Sequence, residues 1–203
     1  LEQVSGRREQ ILALFRSVFY DYMSRDNVVY HGRAGHIFLA DVPGVLRVRI
    51  IADPEDRIRE AMERESLTYG EARKKLQRED RERVKWTSHT CGKDNRDPQL
   101  YDIQLNLRNI TVSEAVSIIV GTARVSAVDS GGMMCKRLAD LALAARIEAR
   151  LLAWFPEVEA VAKDGEVFVS VTASILQEET IVNKAKALLS GIEGIRTLNI
   201  GVA

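Results

Sequence analysis

Three groups of residues carry chemistry by their types and spacing. The first is the turn Gly32-Arg33-Ala34-Gly35, which follows the β-prone run Val28-Val29-Tyr30-His31. Open α/β sheets place ligands at the carboxyl ends of their strands. Glycines there let backbone approach a ligand closely, and an arginine fork matches the oxygens of a phosphate or carboxylate. A plain turn carrying a surface arginine has the same four letters, so both readings stand at this point. The second group is the charged run Glu71 to Trp86. From Arg64 to Arg96 there are ten basic and six acidic residues, a local excess of +4 in a chain whose formal net charge is zero. Arg78, Arg81 and Lys85 recur at three- and four-residue spacing, so on a helix they share a face and can converge on one polyanion. Asp80 and Arg83 fall elsewhere on that helix and can share the task. The competing reading is a solvated face laced by i,i+4 pairs such as Glu79 with Arg83. Nucleic-acid binding is disfavoured, because only Trp86 interleaves with the charges.

The third group, His31, His36 and His89, has neither HxxxH nor HExxH spacing, and no catalytic role is assigned to it. Cys91 and Cys135 lie far apart without CxxC spacing, so no metal site and no disulfide framework is expected. That cysteine usage fits a reducing compartment, and the expected location is cytoplasmic. No apolar run approaches the roughly 20 residues that span a bilayer. With 46% apolar and 29% charged residues the chain has the make-up of a globular protein able to bury a core, and its neutrality excludes a global field that would draw it to nucleic acid or anionic membrane.

Helices alternating with short apolar strands must position these groups. Ile11, Leu12, Leu14, Phe15, Val18, Phe19 and Tyr22 mark an amphipathic helix ended by Asp26-Asn27. Leu46 to Ile51 reads as a strand. Asp53-Pro54-Glu55-Asp56 is a capped helix start running to about Glu65. Thr68 with Glu71 and Thr111 with Glu114 have capping-box spacing, opening helices through about Trp86 and over Ala115 to Val120. Tyr101 to Leu105 is a strand entered from an Asp97-Pro98 turn. The pattern predicts a parallel sheet covered on both faces. Asp129-Ser130-Gly131-Gly132 reads as a linker. Beyond it come a long helix from Leu138 to Phe155, a hairpin turning at Lys163-Asp164-Gly165, a helix over Glu178 to Leu189 and a strand from Ile195 to Val202, in the order α-β-β-α-β.

The segments "VVYHGRAGHIF", "VRIIADPEDRIREAMERE", "REDRERVKW" and "DPQLYDIQLNLRNITVSEAVSII" stand in the order and spacing of the cytidylate kinase-like family, which the chain resembles from about Arg7 to Thr122. The resemblance implies an α/β fold, a partial P-loop kinase-type parallel sheet with a helical lid, over residues 1–128. It implies ATP and Mg²⁺ as cofactors and a nucleoside monophosphate, CMP or a similar nucleotide, as acceptor. By position it makes Arg33, Gly32, Gly35 and Arg57 substrate-binding residues. Arg78, Asp80, Arg81 and Arg83 become catalytic residues of the lid, where cations neutralise charge on the transferring phosphoryl group. Ala34 departs from the family, which usually carries Asp there.

No GxxxxGK[ST] motif occurs, and Gly131 to Lys136 lacks its spacing and preceding strand. The ATP-phosphate cradle is therefore expected upstream of Leu1 or nowhere, and the chain alone is expected not to turn over ATP. A start at Leu1-Glu2-Gln3, directly before a helix, reads as a fragment of a longer protein. Residues 133–203 resemble a BON domain, a small α+β (αββαβ) module, through "DGEVFVSV" and the helix end leading to Gly191 and Gly194; Ser170 or Val171 stands where that family often has a second glycine. From Glu157 onward there are seven acids and four bases, which disfavours docking to anionic lipid and leaves a protein partner or a homodimer through this domain. Two functions from different classes follow: a phosphotransferase in the full-length protein, or a non-catalytic nucleotide- or partner-binding regulator built on a kinase fold.

Overall fold

The structure is a computed structural model that describes residues 2–25, 27–128, 132–173 and 177–202. Its elements are α1 (Glu2–Met23), α2 (Gly35–Phe38), β1 (Val48–Ile51), α3 (Pro54–Glu65), α4 (Tyr69–Cys91), β2 (Ile103–Asn106), α5 (Val112–Val128), α6 (Met133–Leu151), β3 (Val158–Lys163), β4 (Glu166–Val171), α7 (Glu178–Leu189) and β5 (Thr197–Val202). They form two compact units, residues 1–28 with 132–203, and residues 29–131. The break at Gly131 falls within the expected linker, of which Asp129, Ser130 and Gly131 lie outside the described residues, as does Asp26 at the expected end of α1. Helix α1, expected within residues 1–128, groups with the C-terminal elements.

In that C-terminal unit α1 lies on α6, tied by Arg16 to Glu148 at 2.8 Å and by Gln10 Nε2 donating to the Ala149 carbonyl at 3.2 Å. The sheet order is β3-β4-β5, with β3 antiparallel and β5 parallel to β4. Strict alternation in β3 and β4 turns Val158, Ala160, Val167, Val169 and Val171 inward against α6 and α7, where Leu138, Ile147 and Leu151 are fully buried. Each such aliphatic side chain contributes about 1.5–3 kcal/mol on burial, so this unit has an ordinary core. The hairpin turns through Asp164 at φ 48° and Gly165 at φ 79°, the paired left-handed conformation that a two-residue hairpin requires.

In the unit of residues 29–131, β1 and β2 pair in parallel with Val48 opposite Ile103 and Ile51 opposite Asn106, and the crossover passes through the hairpin of α3 and α4. The caps form as their residue types dictate. The Asp53 side chain accepts from Glu55 N at 3.0 Å, Thr68 and Glu71 make a full capping box, and Thr111 and Glu114 make another. Three expectations are corrected. Residues 28–31 are not a strand: Val29 is 97% exposed, and without a neighbouring strand a β-prone run has nothing to pair with. Helix α4 continues beyond Trp86 to Cys91, where Gly92 takes the left-handed cap at φ 63°. The sheet is not covered on both faces, since Ile50 is 54% exposed. The core here is thin: among the described residues this unit has eight buried apolar side chains, four of them alanine, against twenty-one in the other unit.

Candidate functional site

All the site residues expected from the sequence lie in the unit of residues 29–131. Gly32 has the Tyr30 phenol packed where a side chain would begin, so any larger residue would displace that ring. Arg33 is exposed, Ala34 caps the short helix α2, and Gly35 is its buried first residue. The next residue, His36, stacks on Tyr101 with ring centroids 4.7 Å apart, and its Nε2 lies 3.3 Å from the Tyr101 hydroxyl. That hydroxyl donates to the Asn95 carbonyl at 2.8 Å, so it is left to accept from His36 Nε2–H. Burial, with help from Arg47 and Arg49, pushes His36 below its ordinary pKa, keeping the ring neutral with its proton placed for that bond. The Arg49 guanidinium lies over the other part of this arrangement, 5.6 Å from the Tyr101 ring centre.

Helix α4 sorts the charged run into two faces. Ala72, Leu76, Asp80, Arg83 and Thr87 follow one another at four- and three-residue steps, and Ala72 and Thr87 are fully buried, so this face looks into the unit, although the Arg83 side chain on it is exposed. Arg57 of α3 meets Asp80 fork to fork, Nη1 to Oδ2 at 2.8 Å and Nη2 to Oδ1 at 2.9 Å. The pair holds the Asp80 carboxyl below, and the Arg57 guanidinium above, their ordinary ranges, in each case chiefly through this hydrogen bond. Arg83, one turn on, acts on both Asp80 and Tyr101 through its charge. Arg78 and Arg81 occupy the opposite, solvent-facing side with Lys85, and Arg78 reaches Glu82 at 4.0 Å. Glu79, expected to pair with Arg83, instead lies 3.8 Å from Lys75. The structure thus brings Arg57, Asp80 and Arg83 together and leaves Arg78 and Arg81 on another surface.

Two further aspartates repeat the Arg57–Asp80 device. Arg47 takes both oxygens of Asp102, with Nη2 to Oδ1 at 2.6 Å, and Arg96 takes both oxygens of Asp94, pulling that carboxyl down to about 2. Each of these acids has its own guanidinium, while Arg33, Arg49 and Arg83 make no ion pair with any described carboxylate. The residue-type reading missed the set His36, Arg49, Asn95 and Tyr101. Its one signal was the Arg-Val-Arg alternation from Arg47 to Arg49, which puts two guanidinium groups on one side of the strand that pairs with the Tyr101-Asp102 segment.

A model of the cytidylate kinase-like family matches residues 5–109. This chain belongs to the cytidylate kinase-like family. The match takes in every residue singled out above, from Gly32 and Arg33 to Tyr101, and it carries a nucleotide kinase-like character for the segment. No curated protein and no solved structure matches the chain. In this cytidylate kinase-like chain no described group of His, Cys, Asp and Glu side chains is arranged to hold a metal ion, and no described helix is long and apolar enough to cross a membrane. Asp80, Asp94 and Asp102 are each held by an arginine, so these three do not fit Mg²⁺, which wants one or two unencumbered carboxylates beside the phosphates.

Proposed function

We propose that this chain carries the acceptor and lid portion of a nucleoside monophosphate kinase, in which the full-length protein transfers a phosphoryl group from ATP to CMP or a similar nucleotide. The observation that carries the reading is the distribution of charge in the family-matched segment. Asp80, Asp102 and Asp94 are forked to Arg57, Arg47 and Arg96, while Arg33, Arg49 and Arg83, like Arg73 and Arg81, make no ion pair with a described carboxylate, and of these Arg49 and Arg83 act on the Tyr101 side of the unit. Phosphoryl transfer asks the protein for position and for cations around the equatorial oxygens, with little covalent chemistry. Arg33, at the turn held by Gly32 and Gly35, grips the acceptor phosphate, and Tyr101 with its stacked His36 offers a flat surface beside Arg49. Arg83 closes from the lid helix, and Asp80 fixes the lid by its fork to Arg57. Arg78 and Arg81 serve the reading less directly, as a positive outer surface of the lid. The sequence has no GxxxxGK[ST] cradle, and Asp80, Asp94 and Asp102 are each engaged by an arginine, so under this reading ATP and Mg²⁺ are held by residues other than these. The exposed apolar residues of α5, among them Val112, Val116 and Ile118, with Ile50 in β1, support a completing segment. The BON-like C-terminal module then serves assembly, and the setting is the cytoplasm.

A specific observation also favours a second reading, a regulator that binds nucleotide or partner without turnover: the sequence has no GxxxxGK[ST], and Ala34 replaces the family's usual Asp. One experiment separates the two. ADP release by the full-length natural protein is measured with ATP, Mg²⁺ and each of CMP, dCMP, UMP and AMP. Turnover dependent on one acceptor supports the kinase. Nucleotide binding by calorimetry with no ADP above background supports the regulator.

A further inference from the structure

The solvent side of α4 carries a strip of positive charge that the kinase reading leaves without a ligand. Lys74, Arg78, Arg81 and Lys85 follow at steps of four, three and four residues, so they line up along one side of the helix over about 16 Å. All four are exposed. Lys74, Arg81 and Lys85 make no ion pair with any described carboxylate, and Arg78 reaches Glu82 only at 4.0 Å with its side chain 66% exposed. The other positions along the strip are Gly70, Gln77 and Ser88, so it holds no acid and no apolar side chain. The strip is narrow. Glu71 and Glu82 bound it on one side, and on the other, past Arg73 and Val84, comes the Asp80 that Arg57 holds.

We propose that this strip binds the phosphate backbone of a nucleic-acid duplex without reading its sequence. Three features choose the duplex among polyanions. The first is shape. A line of cations walled by carboxylates fits a ridge of phosphates, whereas a flat anionic membrane would meet Glu71 and Glu82 as well. The second is spacing. Each strand of a duplex carries one phosphate per about 3.4 Å of axis, so a length of about 16 Å passes four or five of them, enough for one per cation. The third is chemistry. Phosphate and sugar contacts are made by Arg, Lys, Gln and Ser, the types present here, while a protein partner calls for an apolar centre that the strip lacks. The scarcity of aromatic residues in this run counts against single strands, whose bases stack on rings, and does not touch a duplex. The chain's zero net charge is no obstacle, because counterions are released only where the strip meets phosphates. The inference does not depend on phosphoryl transfer.

The test is fluorescence anisotropy of a dye-labelled DNA duplex of about 20 base pairs, titrated with the chain of residues 1–203 at roughly 50 to 200 mM NaCl. Four neutralised phosphates give a slope of log K against log salt of about −3.6, so affinity should fall about 150-fold across that range. Each of Lys74→Gln, Arg78→Gln, Arg81→Gln and Lys85→Gln should make the slope shallower by about 0.9, and Arg81→Lys should keep it. Arg59→Gln, an exposed change on α3 outside the strip, should leave the slope as it is. Glutamine is as good a helix former as lysine or arginine, so circular dichroism should not change. A duplex of another sequence should bind within about 3-fold. No binding at the lowest salt, a slope that the four glutamine variants leave unaltered, or tighter binding to a single strand of the same length or to vesicles containing phosphatidylserine overturns the proposal. None of these outcomes bears on acceptor-dependent ADP release, so the kinase reading stands or falls separately.

Discussion

Replacing Asp80 by Ala should loosen the α3–α4 hairpin by an amount that the geometry bounds. The fork to Arg57 is bidentate at 2.8 and 2.9 Å, but the two side chains remain 32% and 44% exposed. At an effective dielectric near 20 the gross attraction is about 4 kcal/mol. Desolvation and the rotamer freedom of two long side chains remove most of it, and exposed pairs usually retain about 0.2–1 kcal/mol. Good geometry places this pair at the upper end, about 1 kcal/mol of coupling between Arg57 and Asp80. Arg57→Ala, Asp80→Ala and the double variant form the cycle. The unit supplies its own probe, because Trp86 lies in α4 while Trp154 belongs to the other unit. Urea unfolding followed by fluorescence in a Trp154→Phe background therefore reads the hairpin.

The pH dependence fixes the sign. Arg57 depresses the Asp80 carboxyl in the folded state, so the unfolded chain binds the proton more readily. The stabilisation is complete above the unfolded value of about 3.9 and disappears as pH falls through the lower folded value. Coupling of about 1 kcal/mol at pH 7 should shrink toward zero in strong acid and should fall in high salt. A coupling under about 0.3 kcal/mol at pH 7 would refute the reasoning, as would a coupling unchanged by acid.

The other predictions are shorter. In the turnover-competent full-length protein, Arg83→Ala should cut kcat/KM about 100-fold and Arg78→Ala less than about 3-fold, because Arg83 stands on the Asp80 side of α4 with its charge felt at Asp80 and Tyr101 while Arg78 reaches only Glu82; equal losses in steady-state kinetics would reject that division. Burial raises the Glu148 carboxyl above its ordinary range, so its charge becomes a cost as pH rises from the unfolded value toward the folded one. Arg16→Ala should then destabilise its unit by about 2–3 kcal/mol at pH 7, with Glu148→Gln costing less and flattening the decline in thermal stability with rising pH. Gly165→Ala should cost about 2 kcal/mol in chemical denaturation, since φ is +79° and the new Cβ would lie 2.8 Å from the Gly194 carbonyl oxygen.

Signals that act within a few residues were legible. Asp53-Pro54, the Thr68 and Thr111 capping boxes and the Asp164-Gly165 turn all satisfy backbone groups with neighbours in sequence, and each forms as read. Pairings across long separations were not. The forks Arg57–Asp80 and Arg47–Asp102 span 23 and 55 residues, and no spacing rule selects one aspartate among several for a given arginine. The charged run showed which residues share a helical face, but which face turns inward depends on small residues, Ala72 and Thr87, that carry no charge signal. The run Val28–His31 had strand propensity and no partner, and propensity alone does not make a strand.

The forks also bear on how a lid could respond to its ligand. Arg57 presents one planar set of donors, and Asp80 uses both of its outer nitrogens. A phosphate offers the same paired oxygens with up to twice the charge, so the two compete for one guanidinium. Under the kinase reading, an acceptor phosphate that reaches Arg57 releases Asp80, and with it the hold of α3 on the middle of α4. Arg83 is one turn away on the same face and gains freedom to follow the anion. The exchange is nearly balanced, because the fork is worth only about 1 kcal/mol. A site built from buried, fully desolvated pairs would resist it, whereas half-exposed pairs let a dianion change the lid's partner at small cost.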